Sequence, residues 1–148
     1  MPFTSPTPFT SDDEIRRIGR GLIDRTLPKS EWTHAGHFAA AVCLLADQHI
    51  NAPRDMPAMI RAYNEATGVA NTDTGGYHET ITQASLRAAA SVCASHPSNT
   101  PLHIIVNAIM CGAFGKPNWL LAYWSKDILF SPLARKTWVE PDLQALPF

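Results

Sequence analysis

The chain has no Lys/Arg-rich run, and its 12 Lys plus Arg stand against 13 Asp plus Glu. The clustered positive charge that neutralises nucleic-acid phosphates is therefore missing, and no nucleic-acid partner is expected. Long apolar stretches are missing as well. The longest, Phe38 to Ala46, falls far short of the roughly 20 residues a spanning helix needs, so no membrane is expected either. The opening Met1-Pro2-Phe3-Thr4-Ser5-Pro6 has neither the basic start nor the apolar segment of a secretory leader, and no cleavage is expected. Cysteine is scarce: Cys43, Cys93 and Cys111 lie far apart in apolar stretches. That argues against a disulfide framework or a paired-cysteine zinc site. It is read instead as buried, reduced thiols in a cytoplasmic protein. Finally, no run alternates with period two for long enough to make a sheet, and no internal repeat is evident.

What remains is one domain's worth of chain, 148 residues of which 45% are hydrophobic, enough for a core without stapling. Residues 1–10, rich in Pro, Thr and Ser, read as an irregular arm. Ser11 with Glu14 suggests an N-cap and capping box, and Ile15, Ile18, Leu22 and Ile23 recur at helical spacing, predicting a first helix to about Thr26. Ser30 as N-cap and Glu31 in the first turn predict a second helix to about His49, ended by Asn51-Ala52-Pro53. Asp55 before Met56-Pro57 opens a third, ending near Gly68. The Asn71-Thr72-Asp73-Thr74-Gly75-Gly76 segment is a loop with two glycines available for positive φ. A long helix from about Tyr77 to Ser95 follows, then one from Thr100-Pro101 toward Gly112. One more, near Asn118 to Tyr123, leads into short helical turns in an aromatic-rich tail. The expected fold is all-α: a single compact bundle of five or six helices over residues 11–148.

Chemistry has few places to sit. At about 100° per residue, His34 and His37 point into or beside the apolar stripe of the second helix, and neighbours three apart stand about 5 to 6 Å from each other. His78, projected on the helix that follows the glycine pair, shares an inward face with Thr82 and Ser85. If the two first turns lie at one end of the bundle, three imidazoles meet. Such a cluster suits a divalent metal such as zinc, nickel or iron with an open position for water. Glu79 is then the first candidate for a group that orients a ligand or acts as base, ahead of Glu31 and Glu65. Histidines satisfied inside a core, or a metal-free acid-base pocket, are the competing readings. His49 and His96 sit at expected helix ends and read as caps. Trp119, Tyr123 and Trp124 read as core. Asp127, Ser131 and Arg135 could close the pocket, with Arg135 as an anion clamp or, alternatively, in a surface ion pair with Asp127.

Trp32-Thr33-His34-Ala35-Gly36-His37 and Gly76-Tyr77-His78-Glu79-Thr80, with the tail Leu129-Phe130-Ser131-Pro132 and Glu140-Pro141-Asp142-Leu143, resemble a family of small uncharacterised bacterial proteins with Trp-Thr-His-x-x-His and Gly-Tyr-His-Glu-Thr segments. The likeness spans about residues 30 to 143 and implies that both segments serve one site, without implying a reaction. A looser likeness is to helical-bundle metalloproteins of the DinB type, which implies a three-histidine metal site between helices.

These readings converge on an expectation: a metal-dependent enzyme doing hydrolytic or transfer chemistry on a small molecule. His34, His37 and His78 are the ligands, Glu79 the base or orienting group, and Tyr77, Thr82 and Arg135 face the substrate. A non-catalytic interaction module with internal histidines, its partner another protein or a second copy of the chain, is the alternative. A metal-free acid-base enzyme is a third.

Overall fold

The structure, a computed structural model, describes residues 8–148. Most of the expected arm lies outside the described residues. Its end, at Phe9 and Thr10, is irregular and tied down: Phe9 N–H donates to Asn107 Oδ1 at 3.0 Å, and Asn107 Nδ2 donates back to the Phe9 carbonyl at 2.9 Å. Among the described residues there are seven α-helices and no strand. Helices α1 (Asp12–Asp24), α2 (His34–Ala46), α3 (Ala52–Ala66), α4 (Glu79–Ala94) and α5 (Leu102–Cys111) form the body; α6 (Lys126–Leu129) and α7 (Pro132–Lys136) belong to the tail. The segment expected as a helix at 118–123 is a single 3-10 turn, Trp119–Ala122, and others cover Lys29–Glu31 and Ala113–Gly115.

α2 is the centre. Phe38, Ala39, Ala40, Ala41, Val42 and Leu44 are all buried, so apolar residues surround the helix on nearly every side, and α1, α3, α4 and α5 all pack on it. Its alanines leave room for that crowding. α1 is amphipathic, burying Ile15, Ile18 and Leu22, and is capped by Ser11, which accepts from Glu14 N–H. The Glu14 carboxylate turns mainly to the residue before the cap, its Oε1 accepting from Thr10 N–H and Oγ1.

Two expected helix starts are corrected. α2 does not begin at Ser30. The chain makes a 3-10 turn there, and Thr33 is the cap, its Oγ1 accepting from Gly36 N–H at 3.1 Å. A Cβ on Gly36 would lie 2.3 Å from the Glu31 carbonyl oxygen, so only glycine lets the turn fold this closely on the helix. α3 does not begin at Asp55 but is capped by Asn51, which places Pro53 in the first turn and Pro57 inside the helix. Pro57 has no N–H for the carbonyl four residues back, that of Pro53. Gln83 Nε2 from α4 donates to that carbonyl at 2.9 Å, and the break in the ladder becomes a cross-link between helices.

The tail is part of the core rather than an appendage. Trp124 is fully buried and its indole N–H donates to the Val139 carbonyl at 2.9 Å. Buried Thr80 on α4 uses its hydroxyl both ways, donating to the Thr137 carbonyl at 2.8 Å and accepting from Val139 N–H at 3.2 Å. The expectation of buried cysteines is also corrected. Cys43 and Cys93 are half-buried, with burial pushing both thiols up, and Cys111 is exposed at the end of α5. No described helix is long and apolar enough to cross a membrane.

Candidate functional site

The loop before α4 is organised by Asn71. Its Oδ1 accepts from Asn64 Nδ2 and from Tyr77 N–H, both at 3.0 Å, and its Nδ2 donates to the Arg61 carbonyl at 3.1 Å. Of the two glycines, only Gly76 uses its freedom, at φ +77. The loop delivers Tyr77 and His78 to the interior, both buried. The tail then closes over them: Arg135 Nη1 donates to the carbonyls of Gly76 (3.0 Å) and Tyr77 (3.4 Å), and Lys136 pairs with Asp73 at 2.9 Å. The expected pairing of Arg135 with Asp127 is not formed.

Between α2, α3, α4 and the tail lies a cavity of about 610 Å³. His34, His37, Tyr77, His78, Thr82 and Arg135, six of the seven residues picked out from the sequence, line it. Glu79 does not. It faces the other side of Tyr77, where its Oε1 accepts from the Tyr77 hydroxyl at 2.7 Å and from Gln83 Nε2 at 3.1 Å. Burial first, and then the Glu79 carboxylate, push the Tyr77 phenol well above its usual range, so it stays protonated. The expected role of Glu79 beside a metal-bound histidine is thus replaced by a structural bond to Tyr77.

The histidines share the cavity but not a ligand position. His78 is the N-cap of α4, not a member of its first turn. Its backbone is extended (φ −134, ψ 110), so the helical projection does not apply to it. Its Nδ1 accepts from Ile81 N–H at 3.1 Å and its Nε2 donates to the Leu129 carbonyl at 2.6 Å. Both nitrogens are committed, which assigns the neutral Nε2–H tautomer. Burial, and after it the nearby Arg135 charge, hold its pKa below the ordinary value. His34 donates from Nε2 to the Phe114 carbonyl at 2.8 Å. His37 donates from Nδ1 to the Thr33 carbonyl at 2.8 Å, so Nε2 keeps its lone pair. Trp32 lies against the His37 ring at 3.8 Å between centroids. His37 as a whole is exposed, and the protein around its ring, with His34 after it, pushes its pKa down to about 4. It is neutral near pH 7.

Among the described residues no group of three or more His, Cys, Asp or Glu side chains comes together to hold a metal ion. The donor set expected for zinc, nickel or iron does not fit: one of its three imidazoles is used up capping a helix and bracing the tail.

Residues that sequence reasoning did not place at the site are Lys29, Trp32, Met56, Asn64 and Trp119, all lining the cavity. Trp32 carried a signal, being two residues before His34. Met56 and Asn64 come from a helix whose neighbours are decided by packing alone. Among the described residues two buried donors have no acceptor, Trp119 Nε1 and Arg135 Nε, and both side chains border this cavity. The remaining histidines are local: His96 Nδ1 bonds to the Val92 carbonyl at 2.8 Å at the end of α4, and His103 Nδ1 meets Asp12 Oδ1 at 2.6 Å, joining α5 to α1. His49 lies beyond the end of α2 and its ring caps nothing.

Set against protein families, curated proteins and solved structures, the chain matches none.

Proposed function

We propose that the chain is a small-molecule-binding protein whose site is the cavity between α2, α3, α4 and the tail. The observation that carries the reading is the cavity itself. Its volume falls in the range of ligand pockets, and it combines an apolar wall with a few converging polar groups, the usual composition of such sites. Phe38, Met56, Ile60, Leu86 and Leu120 supply the wall; Thr82, Ser85, Asn64 and the His37 Nε2 supply hydrogen-bonding groups. His37 is read as an acceptor for a ligand donor rather than as a general base. A base works best with a pKa near the operating pH, and one near 4 holds a proton poorly at pH 7. The metal-dependent reading has lost one of its ligands to a structural role, so binding is the function the geometry supports best.

Protein-observed NMR with a library of small aromatic and aliphatic fragments tests it. Fragments that bind are expected to shift the indole N–H signals of Trp32 and Trp119, and to lose that effect in a Ser85→Phe variant that fills the cavity while keeping its helical circular dichroism. Fragments that bind elsewhere, or equally well to the filled variant, would overturn the reading.

A further inference from the structure

The charge inventory of the cavity is one-sided. Its described lining includes Lys29 and Arg135 and no Asp or Glu, although the chain as a whole carries a formal net charge of −1. Of the histidines in the lining, His78 is held neutral by its two bonds and His37 by its surroundings. Arg135 also borders a smaller neighbouring cavity of about 210 Å³ with Arg61 and Lys136. There the sole carboxylate among the described lining, Asp73, is taken by Lys136, while Arg61 lies 4.3 Å over the Tyr77 ring. Arg135 is thus a half-buried guanidinium with backbone carbonyls on one nitrogen, nothing on Nε, and no carboxylate partner. Trp119, only 6% exposed, brings a second N–H without an acceptor to the same wall.

A half-buried guanidinium on an apolar wall with no carboxylate beside it favours an anion. We infer that the cavity takes an organic acid, a molecule with an apolar, ring-bearing body and one carboxylate, with Arg135 as the residue that selects the carboxylate. This deepens the binding reading and rests on it. A carboxylate fits better than a phosphate. Of the two cations in the lining Lys29 is exposed and only Arg135 is half-buried, so the wall balances one negative charge and a dianion would enter with charge partly uncompensated. The body meets Trp32, Phe38, Met56 and Leu86, and the acid end meets the Arg135 edge.

The test uses matched probes on the full chain: phenylacetate and 1-naphthylacetate, their neutral amides, and the corresponding primary amines, titrated by NMR at low salt. Each acid is expected to bind at least tenfold more tightly than its amide, with the amine weakest, and the preference should shrink as salt is raised. In Arg135→Gln the acid-to-amide affinity ratio should fall to about one; Arg135→Lys should keep part of the preference. Amides or amines that bind the wild-type chain as well as the acids would overturn the inference while leaving the pocket reading intact. No perturbation by any of the three classes would sink the pocket reading itself. The acid-to-amide ratio in the wild-type chain stands as a test even if the Arg135 variants do not fold.

Discussion

His78 Nε2 and the carbonyl of Leu129 stand 2.6 Å apart across 51 positions of sequence, and the same ring caps α4 through Nδ1. One imidazole therefore starts a helix and fastens the tail to it, a double duty that a metal ligand could not share.

Replacement of that ring separates its two roles. His78→Asn keeps a side-chain acceptor for the cap and is expected to lose only the tail bond, about 1 kcal/mol. His78→Ala loses both and should cost about 2 to 3 kcal/mol. Urea midpoints at constant m-value measure the difference; equal losses in the two variants would refute the double role.

Acid should destabilise the fold before the carboxylates titrate. His37 and His78 both have folded pKa values below the ordinary 6.5, so as pH falls the unfolded chain takes up protons first. Stability is then full above about pH 6.5 and declines toward about pH 4, where folded His37 itself protonates. NMR titration of the His37 ring should give a midpoint near 4. A midpoint near 6.5 would contradict the desolvation of the His37 ring by its surroundings.

The two loop glycines should respond oppositely to alanine. Gly76 has positive φ, and a Cβ there would stand 2.5 Å from the Ala70 carbonyl oxygen, so Gly76→Ala should destabilise by at least about 1 to 2 kcal/mol. At Gly75 the nearest atom would be 3.6 Å away, and Gly75→Ala should be neutral or stabilising by up to about 1 kcal/mol. Thermal melts of the pair decide it.

Gln83 and Pro57 should be coupled. Gln83→Ala leaves the Pro53 carbonyl without its partner and is expected to cost about 1 kcal/mol. In a Pro57→Ala background the helix supplies its own N–H, and the same replacement should cost clearly less. A double-mutant cycle showing simple additivity would mean the cross-link contributes nothing to the fold.

How much of this was legible beforehand follows the range of the interactions involved. Periodicity of Ile15, Ile18 and Leu22, the Ser11 cap, and the absence of any alternating run are local properties, and they sufficed for an all-helical reading. The start of α2 was missed because Ser30 and Thr33 are both good caps, and the choice between them depends on how the turn meets the Glu31 carbonyl. Six of the seven expected site residues border one cavity, while both nitrogens of the His78 ring are taken by the cap and the tail. Helical projection assumed a helical backbone at position 78, and that residue lies just outside the helix.

The sequence by itself determined the helices, their apolar stripes, and the polar residues that could reach an interior, because each depends on neighbours within a turn or two. The tertiary structure alone decided that a carbonyl 51 positions away would claim the His78 ring, that Glu79 would turn to Tyr77, and that Arg135 would arrive without a carboxylate. A side chain's available partners are set by which segments pack together. That choice is made by burying the whole apolar surface of the chain, not by any residue's immediate surroundings.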